Sequence, residues 1–435
     1  MKVCVYTLGC RLNQCESEAL ADSFAQEGFE VVPENGNADL YIVNTCTVTS
    51  KAEQKARRMI RRFAAEAPTL VTGCYAQLNQ EEIEALGEEL LVVPLDKKAH
   101  LLKLAAHLRV GIESSLSLFE SLKSFNDSEA TVFDYAAASF SYHSRAYIKV
   151  QDGCDNSCAY CRVHIARGKA QSLEGSVVLE RVKELEAAGF KEIMLTGVNL
   201  TMYDHEREGL GGLLELLLAN LGSDIRLRLS SMEPDHIDDR LLEALKDPRM
   251  QPHFHIPVQS GSDRVLERVG RTYTMAQLRE ILTRLKTIKD DPFLAADVIT
   301  GLPAEGEAEF EETYSFLEEF GFSALHVFPF SPRPDTPLFE AKDRVPESVR
   351  DERAKILRDL STRLHHAYLL RQVGKEAEVI VQNRKGGSWY GVAGNYVDVQ
   401  IVNAPLFAER GMLLGGVFGQ KNDRFMEFIA HGATL

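Results

Sequence analysis

The feature that most constrains the fold is an alternation of strand and helix segments between residues 145 and 373. Short strands recur there, and helical segments separate them. Six strand-and-helix units are two short of a closed eight-stranded barrel, so the pattern predicts an open parallel (β/α)6 barrel, a partial TIM barrel. The strands are predicted at Tyr147–Val150, Glu192–Thr196, Ile225–Ser230, His253–Val258, Leu294–Ile299 and Ala324–Phe328.

Two smaller regions flank this barrel. Residues 1–110 also alternate strand and helix, which implies an α/β domain whose parallel sheet is covered by helices on both faces. The serine-rich residues 111–144 lack a clear period and are predicted to be an extended linker. Residues 374–435 are β-rich and punctuated by glycine, which predicts a small antiparallel β-barrel. Elements predicted in the first region are strands Lys2–Thr7, Asp39–Asn44, Thr69–Thr72 and Leu90–Val93, and helices Glu16–Glu27, Ser50–Ala65 (opened by a capping box of Ser50 and Glu53) and Lys98–Leu108.

Composition excludes several classes of protein. A chain of 435 residues with 45% hydrophobic and 26% charged residues is globular and long enough for about three domains. It has no apolar run that could span a membrane and no signal-peptide core near Met1, so we expect a cytoplasmic protein with no membrane contact. The net charge of −15 requires that any RNA site be a local basic patch.

Three of the eight cysteines form a C-x3-C-x2-C loop directly after the first barrel strand. We call Cys154, Cys158 and Cys161 the barrel triad; it lies at the end of the barrel where active sites of this architecture are found. Thiolates suit iron–sulfur clusters, copper or zinc. Three close cysteines would leave one iron of a [4Fe-4S] cluster open to an exogenous ligand. The alternative is a zinc knuckle with His164 as the fourth ligand.

A second set of cysteines is dispersed in the sequence. Cys10, Cys46 and Cys74, the sheet triad, each follow a predicted strand of the N-terminal sheet. The carboxyl ends of parallel strands share one edge, so these cysteines could meet and hold a second cluster. The alternative is three unrelated buried thiols. We interpret Cys4 as a core residue and Cys15 as a bystander.

One predicted helix carries a basic stripe. Between Lys51 and Arg62 there are six basic residues and one acid, a local charge of +5 beside Cys46. A solvated face is the usual explanation of such a run, but the contrast with the acidic chain favours contacts with RNA phosphates. The residues of the basic stripe recur at i, i+4, i+7 and i+11 and are Lys51, Lys55, Arg58 and Arg62.

The barrel triad and its Tyr160 are similar to the radical S-adenosylmethionine signature. Nearly the whole chain resembles the radical S-adenosylmethionine methylthiotransferases. The residues around the sheet triad resemble the branch of that family that acts on threonylcarbamoyladenosine in tRNA, and the C-terminal segment resembles the TRAM domain with which those enzymes bind RNA. The matching segments are Thr7–Gln14, Asn44–Val48, Thr72–Ala76, Leu195–Asn199, Ser230–Pro234, His255–Ser262, Arg271–Thr274 and Phe328–Arg333.

The resemblance implies methylthiolation of C2 of N6-threonylcarbamoyladenosine at tRNA position 37, with two [4Fe-4S] clusters and S-adenosylmethionine. The cluster of the barrel triad would bind S-adenosylmethionine and generate the radical, and the cluster of the sheet triad would deliver the methylated sulfur. A reductant protein such as flavodoxin or ferredoxin and a sulfur source are implied as further partners. Glu233 is expected at the cofactor or, alternatively, as a cap of the next helix. The residues expected to bind the cofactor are Tyr160, Thr196, Gly197, Asn199, Glu233, Gln259 and Ser260.

Two positions depart from the family pattern. Arg162, Val163 and His164 occupy the place of two aliphatic residues and a proline, which puts the local loop geometry in question. Cys15 stands where relatives commonly have tyrosine or aspartate. The alternative functions are the same chemistry on isopentenyladenosine or on a ribosomal-protein aspartate, and RNA binding by a protein whose cysteines hold structural zinc.

Overall fold

The N-terminal part of the chain is a parallel sheet with the strand order β2-β1-β3-β4-β5. The computed structural model describes residues 1–113, 116–126, 130–136, 144–422 and 425–431. Thr7 pairs with Asn44, and Asn44 pairs with Thr72, so β1, β3 and β4 end level with one another. The strands are β1 Lys2–Thr7, β2 Glu30–Val31, β3 Leu40–Thr45, β4 Thr69–Gly73 and β5 Leu90–Val92.

Helices cover both faces of this sheet, as the alternation predicts. Phe24 and Leu104 pack with Val3 on one face, and Phe63 packs with Tyr41 on the other. The predicted linker is partly helical: residues Leu118–Ser124 form a helix, α6, whose N-cap is Ser117 in a capping box. This helix packs onto the first face of the sheet. The prediction of an extended linker over residues 111–144 otherwise falls partly on residues outside the described ranges. The helices are α1 Arg11–Gln26, α2 Ser50–Ala64, α3 Cys74–Leu78, α4 Gln80–Glu84, a 3-10 helix Leu95–Lys103, α5 Leu104–Glu113 and α6 Leu118–Ser124.

The start of α2 differs from the prediction. Its N-cap is Thr49, whose side chain accepts a hydrogen bond from the backbone N–H of Ala52. The expected capping box of Ser50 and Glu53 does not form, because the Glu53 carboxylate is buried and accepts hydrogen bonds from Arg162 and from Arg333 instead. Tertiary ion pairs have therefore replaced a local cap.

The central part is the expected open barrel of parallel strands. Its first three long strands pair in the order β10-β9-β6 and its last three in the order β11-β12-β13. Isolated parallel bridges from Leu227 to Met250 and from Ser231 to His255 join the two halves. The strands are β6 Ala146–Lys149, the short pair β7 Gln151–Asp152 and β8 Gln171–Ser172, then β9 Glu192–Thr196, β10 Arg226–Leu229, β11 His253–Gln259, β12 Phe293–Thr300 and β13 Ala324–Pro329.

Helices surround the barrel and enclose an apolar core with the strands. The last of them, α14, is shared between two cores, because Leu357 and Leu360 pack in the barrel whereas Tyr368 and Leu369 pack in the C-terminal part. None of the helices in the described ranges has the length and apolar character needed to span a bilayer. The helices are α7 Val163–Arg167, α8 Gly175–Ala187, α9 Gly209–Asn220, α10 Asp239–Ala244, α11 Asp263–Arg268, α12 Met275–Ile288, α13 Glu307–Phe320 and α14 Glu347–Gln372.

The C-terminal part is a closed five-stranded barrel with the order β14-β15-β16-β18-β17. Most neighbouring strands are antiparallel, as predicted, but β16 and β18 pair in parallel. This parallel pair closes the barrel. The strands are β14 Glu376–Lys385, β15 Ser388–Ala393, β16 Asp398–Val402, β17 Leu413–Lys421 and β18 Met426–Ala430.

Candidate active site between two cysteine triads

All six cysteines of the two triads line one cavity of about 740 Å³. The N-terminal sheet contributes its carboxyl edge, the barrel contributes the carboxyl ends and the inner faces of its strands, and the C-terminal barrel contributes Tyr396. A volume of this size is ordinary for a site that binds small molecules. The cavity therefore brings together segments of all three parts of the chain.

The barrel triad lies in the loop between β7 and α7. Cys158 is buried, and Cys154 and Cys161 are half-buried. Burial raises the pKa of the Cys161 thiol to about 12, and the neighbouring thiolates of Cys158 and Cys154 raise it further. Three clustered thiolates are thus unfavourable here unless a cation offsets their charge. A metal deprotonates the thiols that bind it, so this donor set fits an iron–sulfur cluster.

The sheet triad converges as the parallel strands predict. Cys46 and Cys74 are buried and Cys10 is exposed toward the cavity. Burial and the adjacent thiolates of Cys10 and Cys74 raise the pKa of Cys46 to about 12. Gly73, at the end of β4, has a φ of 100°, and a Cβ there would lie 2.4 Å from the carbonyl oxygen of Thr45. Only glycine can make this turn and leave Cys74 at the sheet edge.

The two remaining cysteines lie elsewhere. Neither Cys4 nor Cys15 lines the cavity. The Cys15 thiol is buried and donates a hydrogen bond to the carbonyl oxygen of Tyr147 at 3.5 Å. Burial raises the pKa of Cys15 to about 12 and that of Cys4 to about 11. Both thiols are therefore placed as core residues rather than ligands.

Most of the residues expected to bind the cofactor lie on the cavity wall. The Asn199 amide Nδ2 is 3.8 Å from the Sγ of Cys154. Ser260 is the exception, because it is fully buried and its hydroxyl lies 3.3 Å from that of Thr313 on α13. His164 does not line the cavity either, which disfavours it as a fourth zinc ligand. The wall residues among the predicted set are Tyr160, Thr196, Gly197, Asn199, Glu233 and Gln259.

Several polar atoms on this wall have no protein partner. The Thr196 and Ser230 hydroxyls and the Nδ1 of His253 are buried and form no hydrogen bond within the described part of the chain. Buried polar groups are nearly always hydrogen-bonded, so these atoms indicate a polar ligand.

Arg271 lines the cavity although no role was predicted for it from the sequence. Its guanidinium contacts the Sγ of Cys158 at 3.3 Å and the Tyr160 hydroxyl at 3.4 Å. It also donates a hydrogen bond to the Glu233 carboxylate, whose side chain does not cap the following helix. Burial raises the pKa of Glu233 to about 7, although Arg271 acts to lower it. The only sequence signal for Arg271 is its position in the matching segment Arg271–Thr274.

A second group of polar side chains on the cavity wall comes from the last three barrel strands. The Asp297 carboxylate accepts hydrogen bonds from the Nε2 of His255 at 2.8 Å and from the Nδ1 of His326 at 3.2 Å. These contacts hold the pKa of Asp297 well below its usual range, despite its burial. The three residues come from β11, β12 and β13, and all three line the cavity. Within the described ranges they are also a group whose ligand atoms lie within 4.8 Å of one another.

Two charged networks join the N-terminal sheet to the barrel. In the interface network, Arg162 donates to Glu53 at 3.2 Å, to Asn79 at 3.0 Å and to Asp335 at 2.7 Å, and Arg333 pairs with Glu53 as well. Arg162, which departs from the family pattern, therefore links the two sides of the cavity. The buried charge network, in contrast, lies behind the sheet triad and consists of Glu16, Lys98, Lys149, Asp152 and Arg167.

The basic stripe lies on the outer face of α2. All four of its residues are exposed, and Arg62 forms an ion pair with Glu66 at 3.3 Å. Arg57, on the same helix, instead pairs with Glu82. The stripe follows Cys46 in the chain by five residues, so it begins beside the sheet triad.

An open parallel barrel with a three-cysteine loop at the carboxyl end of its first strands defines a radical S-adenosylmethionine enzyme. Residues 148–317 match the model of the Radical SAM superfamily. Residues 2–93 match the model described as the uncharacterized protein family UPF0004. The chain belongs to the radical S-adenosylmethionine methylthiotransferases, in the branch of the MtaB proteins, as its curated relatives establish.

The first of these relatives is the threonylcarbamoyladenosine tRNA methylthiotransferase MtaB of Treponema pallidum. It is 38% identical over 436 residues, which cover 87% of this chain and 90% of the relative. The protein of the same name from Thermotoga maritima is 36% identical over 90% of this chain and 87% of its own length. Among solved structures, the radical S-adenosylmethionine methyltransferase TsrM of Kitasatospora setae has a TM-score of 0.53 at 14% identity, covers 78% of this chain and 77% of its own, and shows the shared fold.

Proposed function

We propose that this tRNA methylthiotransferase modifies C2 of N6-threonylcarbamoyladenosine at position 37, beside the anticodon, with two [4Fe-4S] clusters and S-adenosylmethionine. One observation carries the proposal: two separate cysteine triads line the same cavity. Each triad supplies three of the four thiolates that a [4Fe-4S] cluster takes, so each cluster would keep one open iron. Both open positions would then be accessible from one bound substrate.

The two triads would have different tasks. When bound, the clusters and S-adenosylmethionine supply the radical that removes hydrogen from C2 and the methylated sulfur that replaces it. Such a C–H bond is not acidic, so acid–base groups of the protein could not activate it. The protein's contribution is to hold the barrel triad and the sheet triad on facing walls and to orient the adenine between them.

The residues of the wall have roles in binding. Thr196, Gly197, Asn199 and Gln259 lie at or just after the ends of barrel strands, and Tyr160 lies in the loop of the barrel triad; all five line the cavity, where they can contact S-adenosylmethionine. The Glu233 carboxylate is suited to an ammonium or a ribose hydroxyl. The neighbouring Arg271, which contacts the Sγ of Cys158, holds Glu233 in place.

The substrate is a tRNA, and its backbone would contact the basic stripe and the C-terminal barrel. Phosphate contacts position a nucleic acid without reading its sequence. The resemblance of the C-terminal barrel to a TRAM domain supports an RNA role for it. A flavodoxin or a ferredoxin would supply electrons, and a separate donor would supply sulfur. Relatives named for threonylcarbamoyladenosine support that nucleoside over isopentenyladenosine or a ribosomal-protein aspartate.

Nucleoside mass spectrometry tests this function. tRNA from a strain that lacks the protein should retain threonylcarbamoyladenosine without its methylthio group, and the wild-type gene should restore the group. A variant with alanine at all three positions of the sheet triad should not restore it, whereas Cys15→Ser should. If the missing nucleoside is methylthio-isopentenyladenosine, or if tRNA is unchanged, the proposed substrate is wrong.

A further inference from the structure

Three arginines line the cavity, and one of them has no carboxylate partner in the described part of the chain. Arg167 pairs with Glu16 and Asp152, and Arg271 pairs with Glu233. Arg11, in contrast, donates to the amide oxygen of Gln14 at 2.9 Å and to the hydroxyl of Tyr396, and forms no ion pair with any residue in the described ranges. A half-buried guanidinium without a counter-ion favours an anionic ligand.

The surroundings of Arg11 increase this preference for an anion. The guanidinium groups of Arg145 and Arg228 lie 5.3 Å and 5.0 Å from the centre of the Tyr396 ring, and that of Arg11 lies 5.7 Å from it. Arg145 and Arg228 share the single carboxylate of Glu192. Three cations thus surround one ring, and the carboxylate of Glu192 pairs with two of them but not with Arg11.

Tyr396 is held in an unusual backbone conformation to make this contact. It lies in the turn between β15 and β16 with a φ of 68°, a left-handed value that non-glycine residues rarely adopt. Its ring packs on His253 with 4.5 Å between ring centres. Strained residues of this kind concentrate at binding sites, and here the strain places a phenol beside Arg11 inside the cavity.

Arg11 is also close to the reacting position. It directly follows Cys10, a member of the sheet triad, and both residues line the cavity. In an adenosine, C2 and the N6 substituent lie on the same Watson–Crick edge. An adenine with C2 between the two triads therefore directs its N6 substituent along the same cavity wall.

We infer that Arg11, held by Gln14 and Tyr396, binds the carboxylate of the N6-threonylcarbamoyl group and selects an anionic substituent over a neutral one. This inference rests on the proposed function and adds a determinant of its specificity. An isopentenyl group has no charge to offer this guanidinium. An apolar substituent would remove water from Arg11 without replacing its hydrogen bonds, which costs binding free energy. A carboxylate would offset that cost because it pairs with the guanidinium.

A pair of RNAs tests the inference directly. Two anticodon stem-loops would carry the same threonylcarbamoyl group, one with its free carboxylate and one with the neutral primary carboxamide. For the reconstituted wild-type enzyme, kcat/KM and RNA affinity should favour the carboxylate by about tenfold to a hundredfold, as expected for a hydrogen bond between charged groups. Arg11→Gln should reduce this ratio to about one, and Arg11→Lys should retain part of it.

Two further variants separate specificity from structure. Tyr396→Phe removes only the hydroxyl that holds the guanidinium and should lower the ratio partially. Arg284→Gln, on the outer face of the barrel with a side chain that is 40% exposed, is the matched control and should keep the ratio. A ratio that survives Arg11→Gln overturns the inference, and so does an Arg11→Gln enzyme that loses iron and acts equally poorly on both RNAs. A wild-type enzyme inactive on the carboxylate RNA would instead refute the proposed function itself.

Discussion

The replacement Glu16→Gln tests the buried charge network behind the sheet triad. The side chains of Glu16, Lys98, Lys149 and Arg167 are each at most 1% exposed, and Asp152 is the second carboxylate among them. Glutamine keeps the shape of glutamate but removes its charge, so three buried cations would share one carboxylate. Loss of one partner of a buried ion pair costs about 3–5 kcal/mol.

This cost should be visible as a lower midpoint of thermal unfolding. At about 2–4 °C per kcal/mol for a cooperative unit of this size, we expect a decrease of roughly 6–20 °C, measured by circular dichroism on the anaerobic enzyme. Glu215→Gln, which breaks only an exposed pair with Arg240, is the matched control and should leave the midpoint unchanged. A decrease for Glu16→Gln no larger than the control's would refute the view that the network stabilises the fold.

The pH dependence gives a second check on the same variant. Burial lowers the pKa of Lys98, and without Glu16 the carboxylate that raises it is lost, so this lysine should release its proton more readily. The unfolded state then binds more protons than the native state, and stability rises with pH. The deficit of Glu16→Gln should therefore shrink between pH 7 and pH 9. The additional change Lys98→Met should restore part of the lost stability, because it removes the unpaired cation.

Three other predictions follow from the site. The reconstituted enzyme should hold about eight irons, and alanine at all three positions of the barrel triad should leave about four; loss of all iron or of none would refute two separate clusters. Glutamine at Lys55, Arg58 and Arg62 should weaken tRNA binding and lower the slope of log Kd against log salt by about 0.7–0.9 per lost phosphate contact, and an unchanged slope would move the RNA site elsewhere. Arg162→Leu breaks the interface network and should lower the midpoint of thermal unfolding, although Arg333 still pairs with Glu53. Iron content should stay the same, and an unchanged midpoint would contradict the role of Arg162 in joining the sheet to the barrel.

The sequence predicted the repeating elements well because a fully buried strand and a helix buried along one side each leave a plain pattern. The strand Glu192–Thr196 and the helix Glu347–Gln372 have the predicted bounds. The convergence of the sheet triad could also be predicted, because level parallel strands bring the loops after them to one edge. These features depend on periodicity and topology, which a sequence displays directly.

Features set by distant contacts could not be predicted in this way. Helix α1 was predicted to begin at Glu16 but begins at Arg11. In its first turn, Asn13 donates hydrogen bonds to the carbonyl oxygens of Leu8 and Thr45. The contact between Arg11 and Tyr396 joins residues 385 positions apart, and no local pattern marks it. Glu53 satisfies a local capping rule in the sequence, but two buried arginines compete for its carboxylate more strongly.

The N-terminal sheet, the central barrel and the C-terminal barrel all contribute residues to one cavity, and they are synthesised in that order. Cys74, the last member of the sheet triad, is synthesised 80 residues before Cys154, the first member of the barrel triad, and Tyr396 is among the last forty residues to be synthesised. Domains generally fold in that order during synthesis. A nascent chain can thus bury the thiols of Cys46 and Cys74 before Tyr396 is in place to line the cavity. The wall of the cavity is therefore complete only after the C-terminal barrel has been synthesised.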